Sequence, residues 1–191
     1  SPIMTVRGTF AECVILETVI LSILNADSAI ASAASRMVSA ADGRPIIEMG
    51  SRRTHEEAAV SAARATYIAG FDATSNMEAS LRHGIPASGT AAHSWTLLHV
   101  DENGQPDEKA AFAGQIKSLG KDTTLLVDTF DITKGVDNAL EVAGTELGAV
   151  RIDSGDLGIV SRRVRKQLDE AGAFNTKIIA VSYTHLRAHE T

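Results

Sequence analysis

The sequence predicts an α/β fold built on a parallel sheet, and three observations lead there. Short apolar runs centred in residues 45–49, 123–131, 148–153 and 177–180 alternate with longer stretches of helical pattern, the spacing of βαβ units. The centres of these runs are apolar throughout rather than alternating, as strands covered on both faces are. Polar and charged residues gather directly after the runs, and in parallel α/β folds ligands bind at the carboxyl ends of the strands.

Taken in order, residues 3–9 alternate loosely, bounded by Pro2 and Gly8, and read as a strand. Residues 10–37 carry a long helical pattern rich in Ala, Leu, Ile and Glu, in which Asn25-Ala26-Asp27-Ser28 marks a break or a new cap. Residues 29–41 are dominated by Ala and Ser, suited to close packing on a neighbour, and Asp42-Gly43 ends them. Residues 45–49 form a short buried strand, with Gly50-Ser51-Arg52-Arg53-Thr54 at its carboxyl end. Thr54 caps a helix over residues 55–70 that opens with Glu56 and Glu57. Residues 71–76 are a loop or short strand, residues 77–83 a helix, and residues 85–87 a short extended piece. Small residues then crowd the approach to His93, so that backbone can pass close to a ligand. His93 opens a helix continuing over residues 95–100, where spare backbone N–H groups favour anions.

Residues 101–106 are a polar surface turn, and residues 107–119 a helix closed by Gly120. Residues 123–131 give the clearest strand, with an acidic end. A helix over 133–143 stops at Gly144, a strand over 148–153 leads into the turn Ser154-Gly155-Asp156, and residues 157–171 form the next helix. Its basic stretch at 162–166 reads as a solvated face. Residues 177–180 are the last strand.

Composition bounds the function. The 191 residues suffice for one domain with a core, and 44% hydrophobic with 22% charged residues is ordinary for a soluble protein. A net charge of −6 leaves no global basic field for nucleic acid, so a phosphate ligand must be met by local cations. Residues 14–24 are apolar, but Glu17, Thr18, Ser22 and Asn25 punctuate the run and it is too short to span a bilayer; no signal peptide or membrane span is expected. The single Cys13 cannot form an intramolecular disulfide, fits a reducing cytoplasm, and reads as a buried small hydrophobe. There is no P-loop, no GxGxxG after a strand and no GxSxG elbow.

The residues after the strands are the informative ones. Ser51, Arg52 and Arg53 follow the strand at 45–49; Thr90 and His93 follow the piece at 85–87; Asp128 and Asp131 follow residues 124–127. Arg151, Asp153, Ser154 and Asp156 stand at the end of residues 148–152. If the strands are parallel neighbours, these groups converge on one rim. Arginine forks hold phosphate bidentately. Carboxylates bind ribose hydroxyls or a Mg²⁺ that bridges phosphates. A histidine held by an Asp acts as a base or as a phosphate-accepting nucleophile. The set suits phosphoryl or phosphoribosyl transfer. His185 and His189 are spaced i, i+4 but lack further ligands, and no metal held by the protein is expected.

Five motifs then occur in order: Gly50-Ser51-Arg52-Arg53, Gly70-Phe71-Asp72-Ala73-Thr74-Ser75-Asn76, Gly89-Thr90-Ala91-Ala92-His93-Ser94, Asp128-Thr129-Phe130-Asp131 and Arg151-Ile152-Asp153-Ser154-Gly155-Asp156. Together, over residues 3–180, they closely resemble the nicotinate phosphoribosyltransferase family of type II phosphoribosyltransferases. The resemblance implies part of an irregular α/β barrel, truncated at both ends, with residues 1–180 as the partial barrel domain and residues 181–191 as a non-native tail. It implies transfer of phosphoribosyl from phosphoribosyl pyrophosphate to nicotinate in NAD salvage, with ATP hydrolysis, Mg²⁺, classification as a ligase, a cytoplasmic location and a homodimer at full length.

The same resemblance implies residue roles. His93 is the histidine that ATP phosphorylates, and Asp128 orients its imidazole. Thr90 and Arg151 contact nicotinate, Arg52 meets phosphate or pyrophosphate with Arg53 beside it, Asp153 binds ribose, and Asp72 lies near the ring site. Alternatives are a nicotinamide- or quinolinate-type phosphoribosyltransferase, or an inactive fragment; GSRR and GTAAHS favour the nicotinate branch. Relative to the family, the chain begins in mid-protein at Ser1-Pro2-Ile3 and lacks later strands carrying the loop for the ribose 5′-phosphate. On its own it is expected to show no turnover, and its open edges to favour aggregation or dimerisation.

Overall fold

Helix α1 (Phe10–Ala41) runs 32 residues without interruption in the computed structural model, which describes residues 2–181. Thr9 starts it through a capping box: the Thr9 hydroxyl accepts from the Glu12 amide, and the Glu12 carboxylate accepts from the Thr9 amide at 3.0 Å. Asp42 and Gly43, at φ 51° and 76°, end it in left-handed backbone. The break expected at residues 25–28 does not occur, because Asp27 stays helical and pairs with Arg64 of α2 (Glu56–Ile68). Residues 3–9 form no strand; their alternation finds no partner strand among the described residues, and a lone strand is not stable. Unbroken, α1 has an 18-residue window of mean hydropathy 1.7 and by length and composition alone is long and apolar enough to cross a bilayer, which residues 14–24 by themselves are not. None of that window is buried among the described residues; buried core helices of soluble proteins and signal sequences meet the same measure of length and composition.

The chain divides into two units, Ser1–Gly89 and Thr90–Thr191. In the first, β1 (Ile47–Glu48) pairs in parallel with β2 (Ala73–Thr74), Ile47 opposite Ala73 and Glu48 opposite Thr74. Thr74 also bridges in parallel to Ala87, in the expected extended piece. A single 3-10 turn, Ser51–Arg53, leads from β1 towards α2. The α2 cap is His55 rather than Thr54: its Nδ1 accepts from the Glu57 amide at 3.4 Å. Helix α3 (Met77–His83) starts on an Asn76 cap and stops at Gly84. Val60, Ala63, Ala79 and Ile85 form the small core of this unit.

The second unit carries α4 (His93–Leu97), α5 (Glu108–Leu119), β3 (Thr124–Leu126), α6 (Ile132–Ala143), β4 (Ala149–Ile152), α7 (Leu157–Glu170) and β5 (Lys177–Ala180). The sheet order is β3-β4-β5, all parallel, with Leu126 opposite Arg151 and Ile152 opposite Ala180. The predicted α/β class with a parallel sheet is what the structure has. Leu125, Val127, Val150 and Ile152 pack against Val136 and Ala139 of α6 and Val164 and Leu168 of α7. Each large side chain so buried contributes roughly 1.5–3 kcal/mol, an upper bound set by the extended-chain reference. Gly135 lets α6 lie close on β3: a Cβ there would strike the Val127 carbonyl oxygen and approach Val127 C and Cβ to 3.1 Å. Helix α4 is one turn, ending at Leu97 rather than near 100. The sequence-predicted tail at 181–191 lies outside the described residues apart from Val181.

Candidate active site

The second unit gathers five of the sequence-predicted residues at the carboxyl ends of β3 and β4. His93 is the first residue of α4, and a short chain of contacts fixes that turn. The Trp95 indole N–H donates to the Ala111 carbonyl of α5 at 3.0 Å, and His99 Nδ1–H donates to the Trp95 carbonyl at 2.8 Å. With five residues, α4 has little macrodipole to offer an anion. What surrounds the imidazole matters more. Its Nε2 lies 3.2 Å from Asp153 Oδ2, and its Nδ1 lies 3.3 Å from the Thr129 hydroxyl.

Asp153 is the hub. The Oδ2 that faces His93 also accepts from Arg151 Nη2 at 2.7 Å. Arg151 Nη1 donates to the Thr90 hydroxyl at 2.5 Å, and that hydroxyl donates to the Ala91 carbonyl at 3.3 Å. The strand alternation explains the pairing: Arg151 and Asp153 are two apart, so they project from the same face of the sheet, with Ile152 buried between them on the other. A buried Arg151 Nε has no partner, leaving a guanidinium whose donors are not all used within the protein.

Asp128 differs from its expected place. The resemblance implies that it orients the imidazole, but Oδ2 accepts from the Asp153 amide at 2.7 Å and Oδ1 from the Ser154 hydroxyl at 2.6 Å. It therefore holds the backbone of the next strand end, and the carboxylate on the imidazole is Asp153. An ionised carboxylate only accepts, so Nε2 carries a proton, and in the neutral imidazole Nδ1 accepts from Thr129 O–H. Thr129 was missed; the one signal for it is that it is the sole hydroxyl among residues 128–131, directly after β3. Asp131 and Asp156, expected on the rim, cap α6 and α7 by accepting from the Lys134 and Ile159 amides.

In the first unit, Arg52 and Arg53 lie exposed in the 3-10 turn after β1, as the sequence indicated. Asp72, implied to lie near the ring site, makes local backbone contacts. It precedes β2, at the amino ends of the strands, where its carboxylate accepts from the Ile46 amide at 2.8 Å while its own amide donates to the Ile46 carbonyl at 2.9 Å. It locks the start of the β1–β2 pair.

Among the described residues no group of three or more His, Cys, Asp or Glu side chains is gathered for a metal. The oxygens of Asp128 and one of Asp153 accept N–H and O–H donors within the protein.

No family model matches the chain. It is 63% identical over 181 residues to the nicotinate phosphoribosyltransferase pncB1 of Mycobacterium tuberculosis, covering 94% of this chain and 40% of that one. The nicotinate-nucleotide pyrophosphorylase of Pyrococcus furiosus superposes with a TM-score of 0.73 at 28% identity, over 83% of this chain and 41% of that one. The human nicotinic acid phosphoribosyltransferase superposes with a TM-score of 0.70 at 25% identity, over 86% and 44%. The chain thus spans about two fifths of the length of the proteins it matches.

Proposed function

This chain belongs to the nicotinate phosphoribosyltransferase family, and on that footing we propose that the protein makes nicotinate mononucleotide from nicotinate and phosphoribosyl pyrophosphate, with ATP hydrolysis through a phosphohistidine. The nicotinate ring nitrogen bonds to ribose C1 as the bond from C1 to the pyrophosphate oxygen breaks. The observation that carries this reading is the Thr90–Arg151–Asp153–His93 network at the end of β4.

Each residue has a task in it. Arg151, held flat between Thr90 and Asp153, meets the anionic ring acid, which satisfies a guanidinium that the protein leaves under-partnered. Asp153 has a second oxygen free of His93 and Arg151 for a ribose hydroxyl, and its charge tolerates the cation that develops at C1. Arg52 and Arg53 hold the departing pyrophosphate. His93 takes the γ-phosphoryl of ATP on Nδ1, the nitrogen with a lone pair; the N–P bond forms as the bond to ADP breaks, and water later cleaves N–P. Mg²⁺ arrives with the phosphates of the substrates, and no step is routed through a protein-held ion.

Since these 191 residues span about two fifths of the relatives, the full reaction is assigned to a chain of the relatives' length, with no turnover expected from this stretch by itself. In such a protein His93→Ala abolishes labelling by γ-phosphoryl-labelled ATP. Persistent acid-labile label in that variant removes His93 from the mechanism. The likeness to a nicotinate-nucleotide pyrophosphorylase supports a second reading, a relative acting on another pyridine acid. Turnover compared across nicotinate, nicotinamide and quinolinate separates the two.

A further inference from the structure

We infer that Glu48 is the positioning residue of the arginine-bearing turn; the inference rests on the reading above that Arg52 and Arg53 meet pyrophosphate. Glu48 ends β1 and is 8% exposed, yet β1 is two residues long and has no need of a buried charge for its own sake. Burying a carboxylate is costly unless its oxygens are matched by donors. Here both are. Oε1 accepts from the Gly50 amide, and Oε2 accepts from the Thr74 hydroxyl at 2.7 Å. Both donors belong to strand ends, one on the turn itself and one on the neighbouring strand.

The link continues to the turn from its other side. Thr74 Oγ1 accepts from the Asn76 amide at 3.0 Å, and Asn76 Nδ2 donates to the Ser51 hydroxyl at 3.0 Å. Asn76 Oδ1 meanwhile caps α3 by accepting from the Ala79 amide at 2.9 Å. The main chain adds Ser75 N–H to the Glu48 carbonyl at 2.8 Å. Residues 50 and 51, immediately before Arg52, are therefore gripped at the backbone by Glu48 and at the side chain by Asn76. Gly50 makes the grip possible. A Cβ there would stand 2.8 Å from Glu48 Oε1, so a side chain would push the carboxylate away. Its φ of −88° is open to any residue, so the requirement is space rather than backbone conformation.

This arrangement also answers an electrostatic objection. A free carboxylate beside a phosphate-binding turn would repel the ligand. With its oxygens turned onto the Gly50 amide and Thr74 hydroxyl and away from solvent, Glu48 orders the turn without presenting an open carboxylate to an anion.

The test titrates this chain with inorganic pyrophosphate by calorimetry and follows amide hydrogen exchange at Gly50. Glu48→Ala is expected to weaken pyrophosphate binding about tenfold, the value of one charge-assisted hydrogen bond, and to speed Gly50 exchange. Glu48→Gln, which keeps an acceptor for Gly50, recovers most of both. Thr74→Val removes the other donor at nearly constant volume and shifts both readouts the same way; it decides the matter if Glu48→Ala does not fold. Parental affinity and parental Gly50 exchange in folded Glu48→Ala, or in folded Thr74→Val, overturn the inference. Arg52→Ala is the control for the underlying reading. If neither the parent chain nor Arg52→Ala distinguishes pyrophosphate from chloride, the anion-site reading fails. Gly50 exchange then still reports whether Glu48 anchors the turn.

Discussion

Replacing Asp153 by Asn separates the two carboxylates that could govern the His93 imidazole. Asp153 Oδ2 takes a 2.7 Å hydrogen bond from Arg151 and faces His93 Nε2 at 3.2 Å. The side chains of Arg151 and Asp153 are 12% and 16% exposed, so solvent screens their pairing only in part, whereas His93 at 42% adds little. A charge-assisted hydrogen bond of this kind is worth about 1.5–3 kcal/mol, and the Asn carbonyl returns roughly 1 kcal/mol of it as a neutral acceptor. The expected loss is therefore about 0.5–2 kcal/mol in urea denaturation of this chain. Asp128→Asn strips an acceptor from the Asp153 amide or the Ser154 hydroxyl and costs a similar amount, so stability alone does not distinguish them. The tautomer does. Long-range ¹H–¹⁵N correlations on His93 should show the Nε2–H form in the parent and in Asp128→Asn, and a mixture in Asp153→Asn. An unchanged tautomer in Asp153→Asn, with a changed one in Asp128→Asn, would refute the placement of Asp153 on the imidazole.

Two mid-helix glycines should respond in opposite directions to Ala. Gly135→Ala drives a methyl into the Val127 backbone and should cost about 2 kcal/mol or more, while Gly114→Ala meets the edge of Trp95 at 3.3 Å and His99 Nε2 at 3.8 Å and should come out near neutral or gain up to about 1 kcal/mol from helix propensity; equal effects in thermal melts would contradict the packing of α6 on β3. Burial raises the Glu108 carboxyl above its ordinary range, against smaller opposing effects of Asn138 and Lys134, so the folded state holds that proton more tightly than the unfolded chain. The associated stability is present below the ordinary carboxylate pKa and lost as pH rises through the folded value, so Glu108→Gln should gain on the parent as pH rises above the ordinary carboxylate range, and parallel stability curves would contradict it.

The second unit could be read locally because its boundaries are written locally. Asp107, Asp131 and Asp156 cap the helices that follow them, and Gly120 and Gly144 close two of those helices. The apolar runs between these signals have nowhere to go but the sheet. Apart from the ends of α2 and α4, the misread features depend on residues distant in sequence. Residues 3–9 have the alternation of a strand, but pairing is a property of two segments. Asn25 to Ser28 look like a break until Asp27 meets Arg64, thirty-seven residues later. The exchange of roles between Asp128 and Asp153 has the same origin. Both stand just past strands that are neighbours, and either could face His93. The parallel register, which sets Leu126 opposite Arg151, brings Asp128 to the Asp153 amide and leaves the Asp153 side chain for the imidazole.

The two units use one device twice. At the end of β1, Glu48 turns back onto the Gly50 amide and across to Thr74 on β2. At the end of β3, Asp128 reaches across to the Asp153 amide and the Ser154 hydroxyl beyond β4. In parallel sheets the ladder runs out at the carboxyl ends, leaving amides there without strand partners. A carboxylate placed just past one strand satisfies the amides of its own turn or of the next. The backbone beyond is then fixed without borrowing the side chains that follow. In the second unit those side chains are Arg151 and Asp153, which reach Thr90 and His93. An acidic residue at a strand end is therefore an ambiguous sign of chemistry. The distinguishing feature is the partner: a carboxylate that accepts from backbone amides builds the site, and one that accepts from a guanidinium or an imidazole belongs to it.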